Sequence, residues 1–312
     1  MAEPLRWESK ALLIKTETAY GTDAAPTAAD AMLVTDVEFR PMEGTDEARN
    51  LEMPWLGADE ELPAGLHAIL TFSVELVGSG TAGTAPAWSP IARACGLAEV
   101  ITAGTSVEYH PVSRLHEAVT VHFFIESTKH ALIGTRGTAV VQVEAQKIPK
   151  LRVTLTGLWR KPTKQAPPAG ISFAGFKDPQ LATSVNTPVY KIDGITMVMR
   201  STNLDLGCDV QGRFLVGSES IPIVDRGESI ASVVEAMELD VFDPFDAAIE
   251  RRKVPFLMQH GTNPGFITEI DCPTCQVKRL TGYQNNQKIV EWPLSLTPLP
   301  TAGNDQFTIT LK

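Results

Sequence analysis

The chain carries little that could react. Four cysteines in 312 residues are too few for a disulfide framework, and Cys95 and Cys208 have no partner nearby in sequence, so free thiols are expected. Cys272 and Cys275, in DCPTCQV, have the spacing of half a zinc or redox site. A second pair is missing, and His260 lies upstream with no companion at ligand spacing, so the two read as small residues in a strand or turn. The other histidines, His67, His110, His116, His122 and His130, are scattered, with no HExxH among them, and His122 falls on the polar phase of a strand. No GxSxG occurs. The glycine-rich GSGTAG from Gly78 to Gly83 lacks the lysine of a phosphate loop and reads as a flexible connector. Neither a catalytic set nor a cofactor or metal site is expected, and the chain does not read as an enzyme.

Long apolar runs are also missing: no window approaches the ~20 residues of a membrane-spanning helix. The opening MAEPLRWESK lacks the basic and apolar regions of a secretion signal, so synthesis and folding in the cytoplasm are expected. Basic clusters are absent, and 27 Lys and Arg against 37 Asp and Glu leave a formal charge of −10. That balance excludes a protein that grips nucleic acid through a cationic face. An acidic wall would let DNA slide past by repulsion, and the same charge equally serves plain solubility. Trp7, Trp55, Trp88, Trp159 and Trp292 are dispersed and offer no stacking platform in sequence.

What is abundant is turn chemistry, with 23 glycines and 22 prolines, so many short strands are expected. Leu70, Phe72, Val74 and Leu76 alternate with Thr71, Ser73 and Glu75, the period of a half-buried strand. After the connector, Ser89 as N-cap, Pro90 in the first turn and Gly96 as stop predict a short helix. Three strands follow in a meander: Val119 to Ile125, Arg136 to Gln146 after a turn at LIGTRGT, and Leu151 to Thr156. Upstream, Ala11 to Ile14 opens a loose arm, Met32 to Phe39 reads as a strand, and Arg40 to Leu66 reads as a long acidic loop. That loop holds Leu51, Met53, Trp55 and Leu56, too apolar for a mere connector. It either folds back on its own domain or docks on a neighbour.

A proline-rich linker, residues 161–188, separates this first domain, 1–160, from a second, 189–312. Phe173 and Phe176 in the linker are expected on a domain surface. The second half reads as a strand at Ile195, Met197 and Met199, a loop from Arg200 to Ser232, and a strand through Val233, Ala236, Met237, Leu239 and Val241. A helix follows, capped by Asp243 with Pro244 next, Phe245 and Ile249 on its buried face and Pro255 as stop. Strands at Phe266 to Leu280, Ile289 to Leu296 and Phe307 to Leu311 close the chain. Both halves thus read strand, long loop, strand, helix, strands, as a tandem duplication would. Any two β domains with one helix share that grammar, which keeps the alternative open.

The run TFSVELVGSGTAGTAPAWSPIARACGLAE, with LLIKTETAYGTDAAPTAADA from Leu12 to Ala31, resembles the major tail tube proteins of long-tailed, non-contractile bacteriophages, the siphophages. The resemblance is specific over about the first hundred residues and architectural beyond. It implies a mainly β fold, two tandem tail-tube-like β-sandwich or barrel domains, each with one short flanking helix and a long loop. It also implies a virion protein, made and assembled in the host bacterial cytoplasm, that self-assembles into stacked rings. Genomic double-stranded DNA passes through without specific binding, no membrane is involved, and the partners are the tape measure, tail terminator and distal tail proteins. Two tube domains per chain imply a trimeric ring, and a hexamer if the halves are not duplicates. Leu51, Met53, Trp55 and Leu56 become candidates for inter-ring contact, and Glu75, Glu238 and Asp240 for the acidic lining of the lumen. The rival reading is a β-sandwich binding module for a carbohydrate or a protein.

Overall fold

Leu70, Phe72 and Val74 are buried to within 1% of their full area, so the alternation that marks their strand does place one face in a core. The computed structural model describes residues 6–312; the first five residues of the MAEPLRWESK opening lie outside them. Half the chain, 50%, is strand and 5% is helix, and the fold is mainly β with antiparallel sheets and two short helices.

The first half runs β1 (Lys10–Thr16), β2 (Thr35–Ala48), β3 (Glu61–Glu75), helix α1 (Ser89–Ala94), β4 (Leu97–Thr102), β5 (Ser106–Pro111), β6 (Val119–Ile125), β7 (Thr128–Glu144) and β8 (Lys150–Trp159). A two-residue strand β9 (Thr163–Lys164) is the one strand within residues 161–188. The second half opens with β10 (Val189–Ile192), β11 (Ile195–Thr196) and β12 (Met199–Asp205). Two small hairpin ladders follow, from β13 (Cys208–Val210), β14 (Arg213–Leu215), β15 (Ser218–Ser220) and β16 (Ile223–Arg226). The chain ends with β17 (Ser229–Glu235), helix α2 (Pro244–Ile249), β18 (Lys253–His260), β19 (Thr268–Val277), β20 (Gln284–Asn286), β21 (Ile289–Pro298) and β22 (Thr308–Leu311).

Antiparallel pairing orders the first half β1-β6-β7-β8-β3-β2. In the second half it orders β10-β18-β19-β21-β17-β12. The two orders are the same, element for element, with a helix after the same strand in each. The edge strands β2 and β12 even share a bulge near their starts, between Thr35 and Glu38 and between Met199 and Ser201. The halves are stitched twice: β7 pairs with β12, and β22 pairs with the β4–β5 hairpin. One apolar core runs beneath both, from Phe72, Val121 and Leu155 to Phe256, Leu296 and Phe307.

Several local expectations are corrected. The long loop at Arg40 to Leu66 is mostly hairpin, since β2 and β3 stay paired as far as Ala48 opposite Glu61, and its irregular tip is residues 49–60. The expected turn LIGTRGT lies inside β7, where a bulge between Ile133 and Arg136, with Gly134 at φ +57, lets one long strand change partners. Ser89 does not cap α1. It lies inside the first turn and its hydroxyl donates to Glu99, which also accepts from Tyr109 at 2.8 Å. Asp243 does cap α2, accepting from the amides of Phe245 and Asp246, but the buried face is Pro244 and Ala247. Phe245 and Ile249 face outward, and Pro255 sits in β18 at a bulge instead of ending the helix. The Arg200 to Ser232 loop is built of strand from β12 to β17, and Ala236 to Val241 lie beyond the end of β17.

The glycine connector is not slack either. Gly80 N donates to Gly265 O at 3.1 Å, and a side chain at Gly78 would run into that same carbonyl. The small residues allow backbone of the first half to touch backbone of the second.

Candidate assembly surfaces

Alternation along β3, β8, β7, β12, β17 and β21 buries one face and leaves the other to water, and the β7–β12 pairing makes that second face continuous across both halves. One row of laterally paired residues on it runs Glu75, Lys150, Gln142, Asn203, Ala231, Ser295; another runs Glu38, Thr71, Thr154, Thr138. Small and neutral polar side chains dominate, and Thr71 and Thr154 bond across the strands at 3.1 Å. Three cations on this face are tied to carboxylates: Lys150 to Asp36 at 3.1 Å, Arg152 to Glu38 at 3.3 Å, and Arg200 bidentate to Glu291; Arg136 donates to main-chain carbonyls instead, and Arg40 stands exposed beside Ile69. The Arg200 guanidinium holds the Glu291 carboxyl below the usual range. A shallow cleft of about 730 Å³ lies over the seam, lined by Gln142, Glu144, Lys147, Lys150, Arg200 and Asn203.

Of the three acidic residues expected on this face, the structure places Glu75 there, beside Lys150. Glu238 and Asp240 are elsewhere, past the end of β17 and on the way to the helix. The apolar sequence Val233 to Val241 suggested one strand, but main-chain pairing stops at Glu235. The face itself was missed because its members, mostly Thr, Ser, Asn and Gln, look like ordinary wet strand positions until the register shows them side by side.

The first-half hairpin forms an arm. Its tip presents Leu51, Met53, Trp55 and Leu56 to solvent, with Trp55 at 69% exposure and Leu56 fully exposed. Glu43, Asp46, Glu47, Glu52, Asp59, Glu60 and Glu61 flank them, and one cross-strand ion pair, Arg49 to Glu60 at 2.9 Å, closes the base of the tip. Four apolar side chains left in water together cost free energy that the isolated chain does not recover.

The corresponding excursion of the second half, residues 206–228, does the reverse and folds onto the first half. Ile221 is fully buried beside Ile133 and Leu158, Phe214 stacks on His67 with centroids 5.8 Å apart, and Ile221 N donates to the Tyr20 hydroxyl at 2.6 Å. Arg136 donates to Ile221 O at 3.2 Å and lies over the Tyr20 ring, and Arg226 donates to Gly96 O at 2.7 Å.

The Cys272 and Cys275 thiols are both fully buried in β19, which a bulge opposite Pro255 turns so that both face the core. Hydrogen bonding to Cys275 and burial push the Cys272 thiol well up, away from the thiolate that metal binding or exchange would need. Cys95 and Cys208 are likewise buried free thiols. His122 pairs with Asp23 at 3.0 Å and His260 with the Thr187 hydroxyl at 3.1 Å. Among the described residues, no three His, Cys, Asp or Glu side chains gather as a metal site, and no helix is long and apolar enough to cross a membrane. In the linker, Phe176 packs against the core and Phe173 stays 42% exposed. The chain matches no protein-family model and no curated protein.

Proposed function

We propose that this protein is the structural subunit of a siphophage tail tube, assembling into rings that stack into a conduit for genomic DNA. The observation that carries the reading is the edge-to-edge union, through β7 and β12, of two half-sheets with one strand order. A repeated unit that already joins its like once within a chain is a unit suited to joining it again between chains, and rotation about an axis closes such heterologous contacts into a ring. On this reading the halves are tandem tube domains and three chains make a ring. The continuous polar face lines the lumen. Three of its cations are held by carboxylates, which lowers what phosphates sliding past gain from counterion release. The exposed arm supplies the ring-to-ring contact, and the tape measure, terminator and distal tail proteins are the expected partners in the virion.

The test is negative-stain microscopy of the purified protein together with the mass of isolated rings. Rings of three 33.8 kDa chains are expected. Rings of six would overturn the tandem reading, and a monomer under all conditions would favour a binding module.

A further inference from the structure

β2 is fourteen residues long, pairs with β3 on one edge and, among the described residues, with no strand on the other. Its counterpart in the second half, β12, has both edges filled, by β17 and by β7. Long open edges invite another strand. The partner is identified by asking what the second half holds at the place of the β7 segment that receives β12.

That place can be located by register. Gln142 on β7 faces Lys150, which faces Glu75, the last residue of β3. Gln284 on β20 faces Glu291, which faces Glu235, the last residue of β17. Gln284 therefore stands where Gln142 stands. Gln142 uses its second edge to pair with Asn203, whereas β20 pairs, among the described residues, with β21 alone and leaves its outer edge open. Asn203 faces Ala231, four residues before Glu235; Glu38 faces Thr71, four residues before Glu75. Glu38 therefore stands where Asn203 stands.

We infer that β2 of one copy pairs antiparallel with β20 of a second copy, Glu38 opposite Gln284, repeating between chains the seam that β7 and β12 form within one. Charge suits the match: Lys278, Arg279 and Lys288 are exposed around β20, and β2 carries Glu43, Asp46 and Glu47 beyond Asp36 and Glu38, whose carboxylates pair with Lys150 and Arg152 of their own chain. The pairing also continues the polar face without a break, since Glu38 and Asn203 lie on the same side of their sheets. It rests on the ring-forming reading and adds the edges and the register to it.

The test uses thiol cross-linking in the full chain, calibrated against the internal seam. Facing residues on adjacent antiparallel strands lie within disulfide reach. The Gln142→Cys, Asn203→Cys variant should close within a chain under a mild oxidant. Glu38→Cys chains mixed with Gln284→Cys chains should give covalent dimers joining the two kinds in assembled material, and none when diluted below assembly. The double variant should run as a closed covalent trimer. All sites are on the water-facing side, so folding is expected to persist, and thermal unfolding of each variant checks it. Rings that form without the Glu38 to Gln284 link, while the internal control closes, would overturn the seam and leave the tube reading standing. Failure of the wild-type protein to form any ring would overturn both.

Discussion

The two excursions that leave the shared strand order at the same place have opposite fates. In the first half the chain between the edge strand and its neighbour is a zipped hairpin that carries its apolar residues away from the body. In the second half the chain between β12 and β17 breaks into two short ladders and lies down on the first half. The difference traces to where each places apolar side chains. Residues 206–228 put Leu206, Cys208, Ile221 and Ile223 at the base, where the first half is within reach, and all four are buried. The first arm puts Leu51, Met53, Trp55 and Leu56 at the tip, beyond reach of its own core, and surrounds them with carboxylates. Position along the arm, not apolar content, decides whether it completes the subunit or is left to complete something else.

The comparison breaks most sharply under substitution at the tip. Trp55→Ser with Leu56→Ser should change subunit stability by no more than about 0.5 kcal/mol, because neither side chain is buried in the chain. Tubes, however, should be lost and single rings kept, as seen by negative stain. If the variant unfolds, the tip belongs to its own subunit's core. If tubes persist, ring stacking is carried elsewhere, with Leu215 and Val216 at the tip of the second arm the next place to look.

The second arm should answer in the opposite currency. Ile221→Ala removes a fully buried side chain from its contact with Ile133 and Leu158, at a cost of about 2–5 kcal/mol in denaturant unfolding. Tyr20→Phe strips the acceptor from Ile221 N, and a buried amide without a partner costs about 1–3 kcal/mol. An effect of either below about 0.5 kcal/mol would mean that the arm is not held down by these contacts.

Much of this was readable in advance. The period of Leu70 to Leu76, the Asp243 cap and the repeated element order all follow from alternation and turn chemistry, which are local. What stayed hidden is set by register and by long-range contact. Thr202 and Ser232 look like wet strand positions, yet both are buried and bonded to the Tyr190 hydroxyl, at 2.7 and 2.8 Å, deep enough to raise that phenol to about 12. By strand position Ser232 stands where Phe72 stands in the first half, so the two halves share their pairing while their side chains differ there. The Arg40 to Leu66 stretch, rich in carboxylates and punctuated by Pro41, Gly44, Pro63 and Gly65, has the composition of a loop. Bulges take up Pro41, Gly44 and Gly65, and Pro63 stands in register opposite Asp46, so the ladder does not end.

The finest test concerns how firmly the folded-back arm is held. Glu228 sits at its root, 7% exposed, with one carboxyl oxygen lacking any hydrogen-bond partner and Arg226 Nε 3.8 Å away. Burial raises its pKa above the ordinary value; a hydrogen bond from its own main chain and the charge of Arg226 oppose the rise, and the neighbouring Asp225 adds to it. The folded chain therefore keeps a proton that the unfolded chain has already released. Stability from this group is full below the ordinary carboxylate range and is lost as pH rises through the raised value in the fold. Glu228→Gln cannot pay that penalty. The variant should match the wild-type Tm near pH ~4, and exceed it at neutral pH, where the wild type holds a partly buried charge. A constant difference across that range would show that the carboxyl is not titrating in the window, and a less stable variant at neutral pH would show that the attraction to Arg226 outweighs burial. The second result would mean that an ion pair with Arg226 helps to fasten the second arm, beside the contacts of Ile221 and Tyr20.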